Sequence, residues 1–355
     1  MSSVDVSVIV PTYNERENVT RLIKLLHENM VKEKVSYEIV VVDDNSPDGT
    51  AEAVRSLSRM YNVKLIVRPG KLGLASAILE GLKVARGSII AVMDADLQHP
   101  PEALPEMLKK VSSECDIVIG SRYVKGGSVV GWSLFRRVIS RGADFMAKIL
   151  LPKTRGIKDT MSGYFVLKRD VIDGVHLDPR GFKILLEIIV KGRFKKVCEH
   201  PIEFRARTWG KSKLGIGEVF NYMLHVLGLA HEAVRFVIVG GMGTLVNLAT
   251  LFFLGYLLSL EHWVTVLVAF EASTLFNFTL HELWTFKTGF GKGVGSRLAE
   301  FHGAVALHFV SQVVISNLLF YGYGVERILS QLVGILVGFS LNYMLSRHVI
   351  WRRHK

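Results

Sequence analysis

Ile89-Ile90-Ala91-Val92-Met93-Asp94-Ala95-Asp96-Leu97-Gln98-His99-Pro100 is a short apolar run that breaks into two acids, an amide and a proline. Such a run reads as a buried strand, and the break as the loop at its carboxyl end. Four further runs in the same half of the chain, Val6 to Val10, Ile39 to Val42, Val63 to Val67 and Ile117 to Ile119, alternate with helix-period segments near 16–30, 48–60, 73–86 and 102–112. That alternation predicts a parallel α/β sheet, whose ligands gather at the carboxyl ends of its strands.

Composition changes near residue 233. Before Val234 lie 35 of the 44 Lys and Arg residues and 27 of the 32 Asp and Glu residues; after it come 9 and 5, and no Asp. Residues Phe236 to Leu260 carry no charge, and Trp263 to Phe286, Phe301 to Val325 and Ile328 to Ser346 read as similarly apolar. Each is long enough, as a helix, to cross a hydrocarbon core of about 30 Å. Four spans are expected, in two hairpins joined at Glu261-His262 and Glu326-Arg327. Lys287, Lys292 and Arg297 lie between the hairpins, and Arg347, Arg352, Arg353 and Lys355 follow the last span. By the positive-inside rule both termini face the cytosol. No basic leader or cleavage site precedes Val6, so the first domain is expected to stay cytosolic.

The net charge of +12 is assigned to the anionic bilayer surface rather than to nucleic acid, because the C-terminal cations sit between and after the apolar spans. Cys115 and Cys198 belong to no metal or disulfide framework and are expected as buried thiols. Glu271, near the middle of the second span, needs a partner; His281 and His308 are the candidates. Phe276-Asn277-Phe278-Thr279-Leu280 and Leu341-Asn342-Tyr343-Met344-Leu345 form a faint repeat at an offset of 65, each followed by an aromatic, Phe286 and Trp351. With Arg235-Phe236-Val237-Ile238-Val239-Gly240, this half resembles the GtrA-like membrane family over residues 233–353, which implies anchoring or lipid-carrier handling.

At the strand ends, Pro11-Thr12-Tyr13-Asn14-Glu15 lacks the glycines that a dinucleotide pyrophosphate requires, which argues against a dehydrogenase. After the second strand, Asp44 suits a base or ribose, and Asp48 suits a helix cap. Asp94 and Asp96, two apart, point the same way; with the Gln98 amide they offer hard oxygen ligands for Mg²⁺ or Mn²⁺. A cation there neutralises charge on a departing nucleoside diphosphate.

Val8-Ile9-Val10-Pro11-Thr12-Tyr13-Asn14-Glu15, Val42-Asp43-Asp44-Asn45-Ser46-Pro47-Asp48-Gly49-Thr50 and Met93-Asp94-Ala95-Asp96-Leu97-Gln98-His99-Pro100 together closely resemble the inverting A-fold glycosyltransferases of the dolichyl-phosphate mannose synthase type, over residues 5–230. The resemblance implies a Rossmann-like nucleotide-sugar domain over 1–230 and a membrane domain over 233–355. It implies that Pro11, Tyr13, Glu15, Val42 and Asp44 hold the nucleoside, that Asp94 and Ala95 lie beside ribose and diphosphate, and that Asp96 and Gln98, with Asp94, ligate the metal. The Gln-x-x-Arg-Trp motif of processive relatives is replaced by Arg207-Thr208-Trp209-Gly210-Lys211-Ser212-Lys213, which favours a single transfer. Arg207, Lys211 and Lys213 either close over the diphosphate or meet lipid headgroups.

For the acceptor, Arg122 ends the fifth strand with a guanidinium suited to phosphate. Trp132, Phe135, Ile139, Phe145, Met146 and Ile149 recur near helical spacing with cations between them, as on a helix lying in the headgroup plane over 131–150; a second such segment covers 213–231. Arg136 and Ser140, one turn apart, join Arg122 as the acceptor-phosphate set. A lipid monophosphate, with its second pKa at about 6, is already an anion and needs no base to attack the sugar. Asp159, in Asp159-Thr160-Met161-Ser162-Gly163-Tyr164, is therefore not assigned as a base. The expected reaction is mannose transfer from GDP-mannose to dolichyl phosphate. UDP-glucose with a polyprenyl phosphate, and a lipid-carrier transporter or scaffold, are the alternatives.

Overall fold

A computed structural model describes residues 4–178, 183–205, 216–254, 258, 262–291 and 293–351. The chain divides into two compact units, Met1–Leu229 and Ala230–Lys355.

The first unit contains β1 (Val6–Thr12), α1 (Arg16–Lys32), β2 (Tyr37–Asp43), α2 (Thr50–Leu57), β3 (Val63–Val67), α3 (Leu74–Val84), β4 (Ile89–Val92), α4 (Leu104–Ser113), β5 (Ile117–Ser121), β6 (Ser128–Val129), α5 (Leu134–Leu150), β7 (Phe165–Lys168), α6 (Ile184–Lys191), β8 (Val197–Pro201), β9 (Glu203–Phe204) and α7 (Ile216–Leu229). Among the described residues, seven strands form one sheet in the order β3-β2-β1-β4-β7-β5-β8. Its strands are apolar on both faces because helices cover both. Val8, Val10, Ile39 and Val41 enter one core, while Ile9, Val40 and Val42 enter the other.

The sheet is mixed rather than wholly parallel. β7 lies antiparallel between β4 and β5, with Phe165 beside both Val92 and Ile119. An antiparallel strand begins where its neighbours end. The residues immediately before β7, Asp159 to Tyr164, therefore reach the carboxyl edge that carries the acids.

The cysteines are not free thiols: Cys115 and Cys198 are joined in a disulfide, 83 residues apart. Parallel pairing of β5 with β8 sets Val118 opposite Cys198 and brings the two sulfurs together. Local sequence pattern carries no trace of a contact closed over so long a loop.

The second unit contains α8 (Glu232–Phe252), α9 (His262–Leu280), α10 (Val294–Asn317) and α11 (Arg327–Leu345). Helix α8 packs on α9, and α10 on α11. Among the described residues three helices, not four, are long and apolar enough to cross a membrane: Glu232–Thr250, Val294–Gly322 and Val333–Ile350. The stretch expected as the second span is helical over His262–Leu280, but Glu271 and Asn277 interrupt it, and His281 and Glu282 come directly after it.

The repeat at an offset of 65 has a structural counterpart. Helices α9 and α11 both continue into five-residue π-helical turns, His281–Thr285 and Ser346–Ile350. The aromatics next in the chain, Phe286 and Trp351, stack with ring centroids 4.3 Å apart. Below them Glu282 accepts from Arg297 Nε at 2.6 Å, Trp351 Nε1 at 3.1 Å and Thr288 Oγ1 at 2.6 Å, so this buried acid is well supplied with donors. Glu271 is bonded neither to His281 nor to His308; its carboxylate lies 3.2 Å from His302 Nε2 on α10. His281 instead stacks on Phe236.

Candidate active site

The sheet register sets the acid-bearing loops side by side. Pro11 pairs with Val42 and Thr12 with Asp43, while Ile9 pairs with Val92, two residues before Asp94. Asp43 fixes the β2 loop, accepting from Thr12 Oγ1 at 2.8 Å, Ser46 N at 2.8 Å and Ser46 Oγ at 2.6 Å. Gly49, at φ +85°, is the N-cap of α2, and Asp48 just before it accepts from Thr50 N at 3.0 Å, close to the expected capping role.

Asp44 is held inside the site. Its Oδ1 accepts from Arg68 Nε at 2.6 Å, and Oδ2 from the backbone N–H groups of Leu72 and Gly73, each at 3.0 Å. The carboxylate thus organises the 68–73 loop, and any nucleoside bonded to it shares these donors. Across the same opening Lys71 Nζ lies 4.9 Å from the centre of the Tyr13 ring, a cation over an aromatic face. Glu15 Oε2 accepts from Asn18 Nδ2 at 2.6 Å.

In the loop after β4, Asp94 is half-buried, while Ala95, Asp96 and Gln98 are buried. Leu97 takes φ +60°, a left-handed conformation unusual for a branched side chain, and so turns the loop within two residues of both Asp96 and Gln98. Asp96 Oδ1 accepts from Gln98 N at 3.1 Å. Gln98 Nε2 donates to the Arg205 carbonyl at 2.9 Å, which orients the amide and leaves Oε1 without a hydrogen bond among the described residues. Two carboxylates and an oriented amide oxygen form an all-oxygen donor set of the kind that suits Mg²⁺ or Mn²⁺. The donor chemistry fits the expected cation.

His99 lies beneath this loop, with Nδ1 3.7 Å from Asp94 Oδ2 and its ring against Tyr164 and Phe204. Burial pushes the imidazole down to about 4, so it is neutral at physiological pH. Gly163 closes over Asp94: a Cβ at that position would stand 2.8 Å from Asp94 Oδ2. A side chain added at Gly163 would require the Asp94 carboxylate to shift.

The Asp159–Tyr164 segment is buried and polar, and its partners explain how it holds. Glu199 accepts from the backbone N–H groups of Lys158 and Asp159 at 2.9 and 3.0 Å, Asp144 from Thr160 N and Oγ1 at 3.1 and 2.6 Å, and the Gly120 carbonyl from Ser162 Oγ at 2.7 Å. Asp159 accepts from Arg122 Nε and Nη2, both at 2.7 Å, and from Arg122 N at 3.0 Å. Burial alone would raise the Asp159 carboxyl, but the Arg122 guanidinium holds it below the usual carboxylate range. Asp159 is an ionised partner of Arg122.

The expectation that Arg122 offers a free fork to phosphate is corrected accordingly. Two of its arms are closed on Asp159, and only Nη1 lacks a hydrogen bond among the described residues. Its guanidinium also lies over the rings of Tyr123 and Trp132, each 5.2 Å to centre. Arg136 lies 4.3 Å over Trp132, and Ser140 Oγ is 2.9 Å from Tyr123 Oη. Arg122, Arg136 and Ser140 therefore share one aromatic wall. Arg207, Lys211 and Lys213 fall outside the described residues.

One residue that the sequence reading did not single out joins this group. Lys183 immediately precedes α6 and donates to the Met161 carbonyl at 2.5 Å. Burial pushes its ammonium down to about 8, with Arg122 adding to the shift and Asp94 and Asp159 opposing it.

Helix α5 tilts its apolar side outward. Leu134, Val138, Phe145 and Ile149 are all more than half exposed, and their spacing places them along one face. Its other side is tied to the site through Asp144, which pairs with Lys148 and accepts from Thr160. Tyr222 of α7 donates to the Ala143 carbonyl at 2.9 Å, packing the second amphipathic segment on the first.

Residues 7–175 match the Glycosyl transferase family 2 model, and residues 235–351 match the GtrA/DPMS transmembrane domain. A dolichol-phosphate mannosyltransferase of Pyrococcus furiosus is 44% identical over 352 residues, 98% of this chain and 99% of that one. The enzymes of the same name from Mycosarcoma maydis and Saccharomyces cerevisiae are 39% and 38% identical. The Mycosarcoma match covers 64% of this chain and 80% of the relative, and the Saccharomyces match 62% and 85%.

Proposed function

We propose that this chain, which belongs to the dolichol-phosphate mannosyltransferase family, transfers mannose from GDP-mannose to dolichyl or another polyprenyl phosphate with inversion at the anomeric carbon. It is a glycosyltransferase and a membrane protein. The observation that carries the donor and acceptor reading is one sheet edge that bears Asp94, Asp96 and Gln98 on one side and a cluster of cations and aromatics on the other. That second side is bounded by a helix whose exposed face is apolar.

In this reading Pro11, Tyr13, Glu15, Val42 and Asp44 line the nucleoside, with Asp44 oriented by Arg68. Asp94, Asp96 and Gln98 hold Mg²⁺ or Mn²⁺, which when bound offsets charge on the diphosphate. A phosphate oxygen of the acceptor attacks the anomeric carbon, the new carbon–oxygen bond forms as the bond to the β-phosphate breaks, and GDP leaves with the electron pair. No proton moves, which agrees with Asp159 being closed on Arg122. Catalysis then rests on positioning and charge.

Leu134, Val138, Phe145 and Ile149 support a membrane-surface role for α5, seating the acceptor set at the headgroup level. Lys287, between α9 and α10, with Arg297 and Arg347, near the first and last turns of the spans Val294–Gly322 and Val333–Ile350, supports a cytosolic placement of the catalytic unit and both termini, with the helices paired as hairpins. Arg207, Lys211 and Lys213 complete the proposal as a basic segment that closes over the donor diphosphate.

Calorimetry with Mn²⁺ present tests the donor assignment. GDP-mannose binds the purified protein, whereas UDP-glucose and UDP-N-acetylglucosamine bind at least about tenfold more weakly, a difference of about 1.4 kcal/mol. Tighter binding of either UDP sugar overturns the donor assignment.

A further inference from the structure

A buried polar atom without a partner is uncommon in a folded chain, and the loop after β4 holds one. His99 Nδ1 is buried and has no hydrogen-bond partner among the described residues. Tyr164 and Phe204 pack against the imidazole, with ring centroids 5.4 and 5.1 Å away, and hold the ring in place. The acid that Nδ1 faces is Asp94, whose Oδ2 lies 3.7 Å away, beyond the usual hydrogen-bond range of about 2.7–3.2 Å.

The gap is one that the acid can close. Gln98 anchors the loop beside His99: its carbonyl accepts from Arg205 N at 2.9 Å, and its Nε2 donates to the Arg205 carbonyl at 2.9 Å. The His99 side chain is 3% exposed and that of Asp94 31%, so the imidazole is held while the carboxylate has room to turn. Gly163 lets the two groups approach, because a Cβ there would stand 2.8 Å from Asp94 Oδ2 and 3.3 Å from His99 Cε1. Hydrogen bonds within active sites are commonly long before the site is loaded and tighten with its ligand.

We propose that His99 is a positioning residue for the metal site: its Nδ1–H donates to Asp94 Oδ2 as Mg²⁺ or Mn²⁺ binds, which orients the carboxylate and leaves Oδ1 for the cation. The inference rests on the transferase reading and deepens it. The bond needs the proton on Nδ1, and a carboxylate facing that nitrogen selects this tautomer. A hydrogen bond behind a ligating group fixes its orientation, and losing such a partner typically costs about 10- to 100-fold in metal affinity.

Mn²⁺ titration of the full-length protein in detergent with GDP, followed by the electron paramagnetic resonance signal of the free ion, tests this without turnover. His99→Phe keeps a ring between Tyr164 and Phe204 but has no donor, and it binds Mn²⁺ about 10- to 100-fold more weakly than wild type. His99→Asn, whose amide nitrogen stands near the place of Nδ1, recovers part of that affinity; His99→Gln, whose nitrogen stands near the place of Nε2, recovers less. In transfer assays raising Mn²⁺ restores much of the His99→Phe rate, while KM for dolichyl phosphate stays within about threefold of wild type. A Mn²⁺ affinity of His99→Phe within about threefold of wild type overturns the proposal. So does a nitrogen coupled directly to bound Mn²⁺ in wild type and missing in His99→Phe, which would make His99 a ligand. Should His99→Phe fail to fold, the comparison of His99→Asn with His99→Gln carries the same test. Wild-type protein that takes up no Mn²⁺ with GDP overturns the metal site together with this inference, whereas unchanged uptake by His99→Phe removes the inference alone.

Discussion

Asp96→Ala lowers mannose transfer by on the order of 10³-fold and lowers the thermal midpoint by only a few degrees. The side chain is buried, and Gln98 N, two residues further on, donates to it in a local loop contact. Removing that bond costs about 1 kcal/mol of stability. The loss of rate comes from the donor set: without the second carboxylate, Asp94 and the Gln98 amide are left to hold the cation, and the departing diphosphate keeps its charge. Initial rates and a melting curve on the same preparation check both halves. GDP-mannose affinity adds a control, falling when EDTA is added to wild type and insensitive to EDTA in the variant. A variant that retains transfer within tenfold would remove Asp96 from the metal site.

Arg122→Ala and Asp159→Asn each lose stability as well as activity. Both residues are more than 90% buried and bonded twice side chain to side chain, so either substitution leaves a buried group with too few partners. For Arg122→Ala, which strands a buried carboxylate, the expected cost is about 3–5 kcal/mol. Arg122→Met with Asp159→Leu removes both charges and should melt above the Arg122→Ala single variant, since no uncompensated charge remains. The pH dependence comes from the direction of the Asp159 shift. Its folded-state pKa lies below the unfolded value of about 3.9, so the contribution is fully present above that pH and is lost as pH falls through the folded value. Asp159→Asn removes that acid-side loss. Melting the four proteins between neutral pH and pH 3 checks the pairing, and equal midpoints throughout would show that it contributes nothing.

The contrast between these variants also marks what sequence could supply. The strand-end acids were legible because a buried parallel strand has a short apolar signature, and the residues directly after such a strand must lie at the sheet's carboxyl edge. The link from Asp43 to Ser46 and that from Asp48 to Thr50 are local, so residue type and spacing announce them. Arg68 closing on Asp44, Arg122 on Asp159 and Cys115 on Cys198 span from 24 to 83 residues and depend on which strands become neighbours. Nothing in the Arg122 neighbourhood shows that its fork is already taken. Lys183 was passed over for a related reason: a single lysine before an apolar helix resembles any helix start, and its bond to the Met161 carbonyl depends on the segment that leads into the antiparallel β7. In the helical unit, the offset of 65 was readable, whereas the Glu271 partner was not, because it depends on how α9 meets α10.

The most direct measurement is transfer itself: purified full-length protein in detergent with Mg²⁺ or Mn²⁺, dolichyl phosphate and GDP-mannose carrying a labelled mannose, with the lipid fraction analysed by mass spectrometry and for anomeric configuration. The expected product is dolichyl phosphate joined to one mannose with its configuration inverted relative to the donor, absent with Asp96→Ala. A lipid fraction without mannose from a protein that still binds GDP-mannose, or a product with retained configuration, would contradict the account.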